Sequence, residues 1–157
     1  MSPEDIILDE SPATAEDTTK DLYLTFEIDS EDYALEVAGI SEIIVMCDIT
    51  LVPHSPEFVK GIINLRGDII PVLSVRSRFM KPEKPYDEST CIIVIFYEDY
   101  KLGLIVDSVK GVSTIPEEEI SPPPNAKLSF ANQFVKNIGK TEQGIRLMID
   151  TEKLLAQ

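Results

Sequence analysis

From Leu22 onward the chain is written with a period of two. Leu22, Leu24, Phe26 and Ile28 alternate with Tyr23, Thr25 and Glu27, as a strand with one buried face does. Asp29-Ser30-Glu31-Asp32 is a polar turn. Tyr33, Leu35 and Val37 then return in alternation, which predicts a hairpin. Ile40–Val45 predicts a third strand and Ile49–Val52 a fourth. Ser55-Pro56-Glu57 carries a helix start, a serine cap with proline in the first turn. Gly61 is expected to end that helix in a tight exit. Ile62–Leu65 and Ile69–Leu73 are strand-like and joined by Arg66-Gly67-Asp68, where Gly67 supplies the special backbone angle of a turn. Pro71 marks the second of these strands as an edge or a bulge. Val75–Met80 predicts one helical turn, and the proline-bearing run Lys81–Pro85 a connector.

The second half repeats the theme. Thr90–Tyr97 is almost wholly apolar, which suits a strand buried on both faces. Glu98-Asp99 turns the chain, and Leu102, Leu104 and Val106 return on one side. Val109–Ile115, Phe134–Ile138 and Ile145–Ile149 are further strands. Between them, Pro122-Pro123-Pro124 forces an extended stretch. Asp150 caps a short helix over Thr151–Ala156. The run Glu31 to Val37 resembles Glu98 to Leu104, and Ile40-Ser41-Glu42-Ile43 lies against Val109-Lys110-Gly111-Val112. The expectation is two similar units of short strands, mainly β, in the manner of small barrels.

Charge divides the chain differently. Its 157 residues fit one domain. They carry 28 acidic and 14 basic side chains, a net charge of −14. Residues 1–21 hold seven acids against Lys20 alone, a net of −6, and read as a disordered acidic tail. The remaining 136 residues carry −8. Nucleic-acid binding is excluded as a function class because it needs a basic footprint. Electrostatic attachment to anionic lipid is excluded on the same ground. The longest apolar run, Cys91 to Tyr97, falls far short of the ~20 residues of a membrane helix. With no basic leader, a cytoplasmic protein is expected. Cys47 and Cys91 are expected as free, buried, reduced thiols.

Reactive chemistry is sparse. The single histidine, His54, sits in Pro53-His54-Ser55-Pro56 and reads as an exposed loop residue. It cannot build a multi-histidine metal site. The seven glycines are too scattered for a phosphate-cradling loop. No catalytic residue, cofactor or metal is expected. Two charged residues stand out instead. Arg66 is one of four arginines in an acidic chain and sits on a tight turn. It is suited either to a partner's carboxylate or to a local acid. Glu42 falls in the strand Ile40–Val45, on the face of Ile40 and Ile44 by simple alternation. It marks either an exposed face or an interface.

The stretch Val37-Ala38-Gly39-Ile40-Ser41-Glu42-Ile43-Ile44 resembles the start of CheW-like domains, as does Ile49-Thr50-Leu51-Val52-Pro53. The run from Phe58-Val59-Lys60-Gly61 through Asn64-Leu65-Arg66-Gly67-Asp68 to Val72 resembles the most diagnostic segment of the bacterial chemotaxis coupling proteins. Gly103 to Val109, Ile115 to Pro124 and Asp150 to Leu155 extend the resemblance over residues 22–156. It implies two small five-stranded antiparallel β-barrels packed together, with short helices. Over this chain the first barrel is expected at about 22–80 and the second at about 86–140, with a strand and helix at 145–156 packing back onto them, all within a CheW-like domain at 22–157.

The resemblance further implies a non-catalytic adaptor. Its partners would be the helical-hairpin tip of a chemoreceptor and the CheW-like regulatory domain of a histidine kinase. The adaptor would be cytoplasmic and recruited to membrane-associated receptor arrays. A CheW-like adaptor of another chemosensory pathway, one governing surface motility or development, is the alternative. Ile40, Glu42 and Arg66 match positions that the family uses at its receptor-facing groove. Gly61 matches a glycine of the turn structure. Ser74 stands where the family commonly has aspartate, which leaves the partner of Arg76 open.

Overall fold

The computed structural model describes residues 19–123 and 133–156. The acidic tail expected over 1–21 lies almost wholly outside them, as does Pro124. The described chain is mainly β. Its strands are β1 (Leu22–Ile28), β2 (Glu31–Glu36), β3 (Ile40–Val45), β4 (Val59–Leu65), β5 (Asp68–Ser74), β6 (Cys91–Tyr97), β7 (Tyr100–Val106), β8 (Ser108–Thr114), β9 (Ile120–Ser121), β10 (Val135–Thr141) and β11 (Gly144–Ile149). Two short α-helices, α1 (Val75–Arg78) and α2 (Thr151–Leu155), and two 3-10 turns, Val37–Gly39 and Glu117–Glu119, lie between or after the strands. Ser74 caps α1 by accepting the Ser77 N–H at 3.1 Å, and Asp150 caps α2 by accepting the Lys153 N–H at 3.2 Å.

The strands form two sheets, ordered β8-β1-β2-β11-β10-β9 and β3-β6-β7-β5-β4. These are the two barrel-like units. Their division along the chain differs from the expected 22–80 and 86–140. After hairpin β1–β2, the chain leaves through Val37–Gly39, and β3 pairs with β6 in the other sheet. After hairpin β6–β7, it turns at Asp107, and β8 pairs with β1. The five-stranded sheet is one continuous stretch of chain, residues 40–106, and the six-stranded sheet joins hairpin β1–β2 to β8–β11. Alternation shows which residues form strands but not which strands they pair with, so this division was not visible in the pattern. The sheets are also not purely antiparallel. β2 pairs with β11 in parallel, and β7 with β5. β5 is an interior strand, and Pro71 fits because the ladder to β7 begins only at Val72.

Apolar residues fall into three layers. Ile63, Ile70, Val72, Ile92, Val94 and Ile105 fill the five-stranded unit. Ala34, Ile115 and Met148 form a smaller core in the six-stranded unit. The largest cluster, including Phe26, Tyr33, Leu73, Phe79, Ile93, Ile95, Leu104 and Ile149, lies between the sheets. β6 serves two layers, with Ile92 and Val94 facing inward and Ile93 and Ile95 facing the other sheet. Its unbroken apolar run follows from this. Each fully buried side chain of this size contributes roughly 1.5–3 kcal/mol.

Two arginines join the framework by charge. Arg76 donates from Nη1 to Asp107 Oδ2 at 2.6 Å, and its Nη2 lies 3.4 Å from Asp29 Oδ1. Asp107 also accepts the Asp29 N–H at 2.8 Å. The partner of Arg76 is therefore Asp107, the residue that links β7 of one sheet to β8 of the other, and Ser74 is free to cap α1 and to donate to Glu83 at 2.9 Å. Arg146 is buried inside the six-stranded unit, 3.2 Å from Asp32 Oδ2 and donating to Thr25 Oγ1 at 3.2 Å.

Three local expectations are corrected. Residues 55–58 form a turn, with Pro56 C=O accepting the Val59 N–H at 3.0 Å, and no helix forms where Ser55-Pro56 suggested one. Ile49–Val52 makes only an isolated bridge, Thr50 to Ile62. Cys47 is exposed, because it lies beyond the end of β3 where no sheet covers it, whereas Cys91 is half-buried.

Candidate functional site

The β4–β5 hairpin is closed by two residues, Arg66 and Gly67, between the paired Leu65 and Asp68. Both have left-handed backbones, with φ of 53° and 94°. This is the geometry whose twist matches a two-residue hairpin. Asn64 Oδ1 accepts the Gly67 N–H at 2.9 Å and fixes the turn. Arg66 is thereby held out on a rigid tip, and its side chain is 68% exposed.

Its guanidinium Nη2 meets Glu42 Oε2 at 2.5 Å. Glu42 lies on β3, and β3 and β4 are the two edges of the five-stranded sheet. The pair therefore clasps one edge strand to the hairpin that carries the other. The Thr50–Ile62 bridge, with hydrogen bonds of 2.9 Å in both directions, ties the chain beyond β3 to β4 further along. The Glu42 carboxylate holds the Arg66 guanidinium above its ordinary value, first by the hydrogen bond and then by its charge.

Ile40 does not share a face with Glu42. The β3–β6 ladder shifts at Ser41, so Ile40 stands opposite Ile95 and Glu42 opposite Val94. Ile95 belongs to the layer between the sheets, and Val94 to the interior of the five-stranded unit. The bulge thus turns Ile40 toward the groove at the seam of the two sheets. Leu35, Ala38, Ile40, Ile95, Ile149 and Thr151 line that groove. The expectation of one face for Ile40, Glu42 and Ile44 held only for the last two.

The same shift exposes residues that sequence reasoning missed. Ile43 pairs with Ile93 and Val45 with Cys91, both on the face of Ile40. They are 41% and 73% exposed. Edge strand β3 thus carries an apolar strip (Ile40, Ile43, Val45) on one face and the Glu42–Arg66 clasp on the other. Its signal in the sequence was an apolar run unbroken after Glu42, Ile43-Ile44-Val45, too rich for a strand with one wet face.

Gly61 does not close a helix. It lies inside β4 at a register shift, with φ of 146°, and a Cβ there would stand 2.1 Å from the Thr50 carbonyl oxygen. Its freedom allows the Thr50 segment to cross β4 closely, which keeps the two edges together. His54 is exposed in its loop with φ of 64°. Among the described residues there is no group of three or more His, Cys, Asp or Glu side chains able to hold a metal ion. No described helix is long and apolar enough to cross a membrane.

The site thus combines an edge strand with an exposed apolar face, a groove beside it and an arginine held on a tight turn, features that protein-interaction surfaces share. The CheW-like domain family matches residues 22–157. The chemotaxis protein CheW of Klebsiella aerogenes is 30% identical over 142 residues, covering 90% of this chain and 86% of the relative. That of Bacillus subtilis is 32% identical, covering 90% and 91%. The crystal structure of the scaffolding protein TtCheW from Thermoanaerobacter tengcongensis superposes with a TM-score of 0.80 at 34% identity, covering 87% of this chain and 93% of that one. The chain belongs to the CheW family of chemotaxis scaffold proteins.

Proposed function

We propose that this protein is the non-catalytic adaptor that joins the cytoplasmic tip of chemoreceptors to the CheW-like regulatory domain of a histidine kinase, and that it works at membrane-associated receptor arrays. The observation that carries this reading is the two-sided edge strand β3, with the apolar strip of Ile40 facing the groove and Glu42 clasped to Arg66 beside it. An α-helical hairpin laid along the groove would bury Ile40, Ile43 and Val45. The charges of Glu42 and Arg66 would set its register, since opposite-sign placement fixes orientation more than it adds affinity. Kinase contact is assigned to sheet surfaces away from this groove.

Co-sedimentation of the purified protein with a chemoreceptor hairpin fragment and the kinase tests the reading. Wild-type protein is expected to bring both into one pellet. Failure to bind either contradicts it. A kinase and receptors of a motility or developmental pathway, co-purifying from source cells, would assign the same adaptor role to that pathway.

A further inference from the structure

Arg78 is placed unlike the other arginines. Its guanidinium carbon lies 4.7 Å from the centre of the Phe58 ring and 4.7 Å from that of Phe134, so the group is sandwiched between them. Phe58 immediately precedes β4 of one sheet, and Phe134 precedes β10 of the other. In the plane of the sandwich, Arg78 donates from Nε to the Leu154 carbonyl at 2.6 Å and from Nη2 to the Lys153 carbonyl at 3.3 Å. Nη2 also donates to the Ala156 carbonyl. These carbonyls close the C-terminal end of α2, where a helix has acceptors without partners and favours a cation. Burial lowers the guanidinium below its ordinary value, as a cation packed among rings requires.

The other end of α2 faces the groove. Ile149, Thr151 and Glu152 form its wall across from Ile40, Ala38 and Ile95. We propose that Arg78 is a positioning residue for partner binding: by holding the last carbonyls of α2 between Phe58 and Phe134, it sets the groove wall opposite Ile40. The inference rests on the reading that the groove receives the receptor hairpin. A lysine keeps the charge but cannot stack between two rings while serving three carbonyls in one plane.

The test compares Arg78→Lys with Asp150→Ala, which removes the N-cap of α2 and loosens the same wall without touching Arg78. Each variant is titrated with a receptor hairpin fragment and, separately, with the kinase regulatory domain. Amide exchange of α2 is followed in parallel. The expected result is faster exchange in α2, receptor binding weakened roughly tenfold for Arg78→Lys and less for Asp150→Ala, and kinase binding unchanged. Faster exchange with receptor binding unchanged overturns the proposal. So does an equal loss of both partners, or of strand protection throughout, which marks a merely structural role. If Arg78→Lys does not fold, Asp150→Ala decides by the same split. An Ile40→Ala variant run alongside separates the failures. If it too leaves receptor binding unchanged, the groove itself is misassigned.

Discussion

Glu42 and Arg66 meet at 2.5 Å across the gap between the two edge strands of one sheet, although 24 residues separate them in the chain. Neither is buried, and the Arg66 side chain is two-thirds exposed. An ion pair so placed does little for stability, because water and salt screen it. What it fixes is where two charges stand relative to the apolar strip on the far face of β3.

The first prediction follows from that exposure. Glu42→Gln, Arg66→Gln and the double variant are expected to melt within experimental scatter of the wild type. Differential scanning calorimetry checks this. A cooperative loss of stability in the single variants would show that the clasp holds the sheet closed.

Gly61 and Gly67 separate close approach from backbone angle. Alanine at Gly67 meets nothing within 4 Å and pays only for its left-handed backbone, about 1–2 kcal/mol. Alanine at Gly61 must also push away the Thr50 carbonyl, so a loss of about 2–4 kcal/mol is expected. Urea unfolding of the two variants gives the order. Equal losses would mean that the Thr50 segment moves aside freely.

How much of this was legible beforehand depends on what each feature needs. Alternation in β1, β2 and β7 marks strands, and the unbroken run of β6 marks burial on both faces, because both are local signals. That hairpin β1–β2 joins β8 and β11 rather than β3 is a matter of partners, and nothing within these strands encodes it. The bulge at Ser41 reverses the face of Ile40 without leaving a glycine or proline behind, so period-two reasoning placed Ile40 with Glu42. The helix expected before Gly61 had a sound start signal in Ser55-Pro56. A strand pairing that takes up the chain from Val59 overrode it. Arg66 and Glu42 stood out by type and scarcity. Arg78 did not, because its two aromatic neighbours lie 20 and 56 residues away in the chain.

Alkaline pH is expected to unfold the protein partly through Tyr33. Burial, and then the neighbouring Glu31, push its hydroxyl well above the ordinary tyrosine value of about 10. The folded state keeps this proton where the unfolded chain releases it. The stabilisation is therefore complete below about pH 10 and is lost as pH rises beyond it. Tyr33→Phe removes the hydrogen bond to Glu31, at a cost of about 1 kcal/mol near neutrality, and shifts the alkaline midpoint upward. Circular dichroism against pH measures both effects. An unchanged midpoint would show that other groups control alkaline unfolding.

The central claim is that β3 and its clasp are the receptor-facing surface, and titration of a receptor hairpin fragment against Arg66→Glu tests it most directly. The variant places a second carboxylate beside Glu42 while leaving the buried layers untouched. Receptor affinity is expected to fall tenfold or more, about 1.4 kcal/mol, with the melting profile and kinase binding retained. Undiminished receptor binding by a folded Arg66→Glu protein would contradict the assignment.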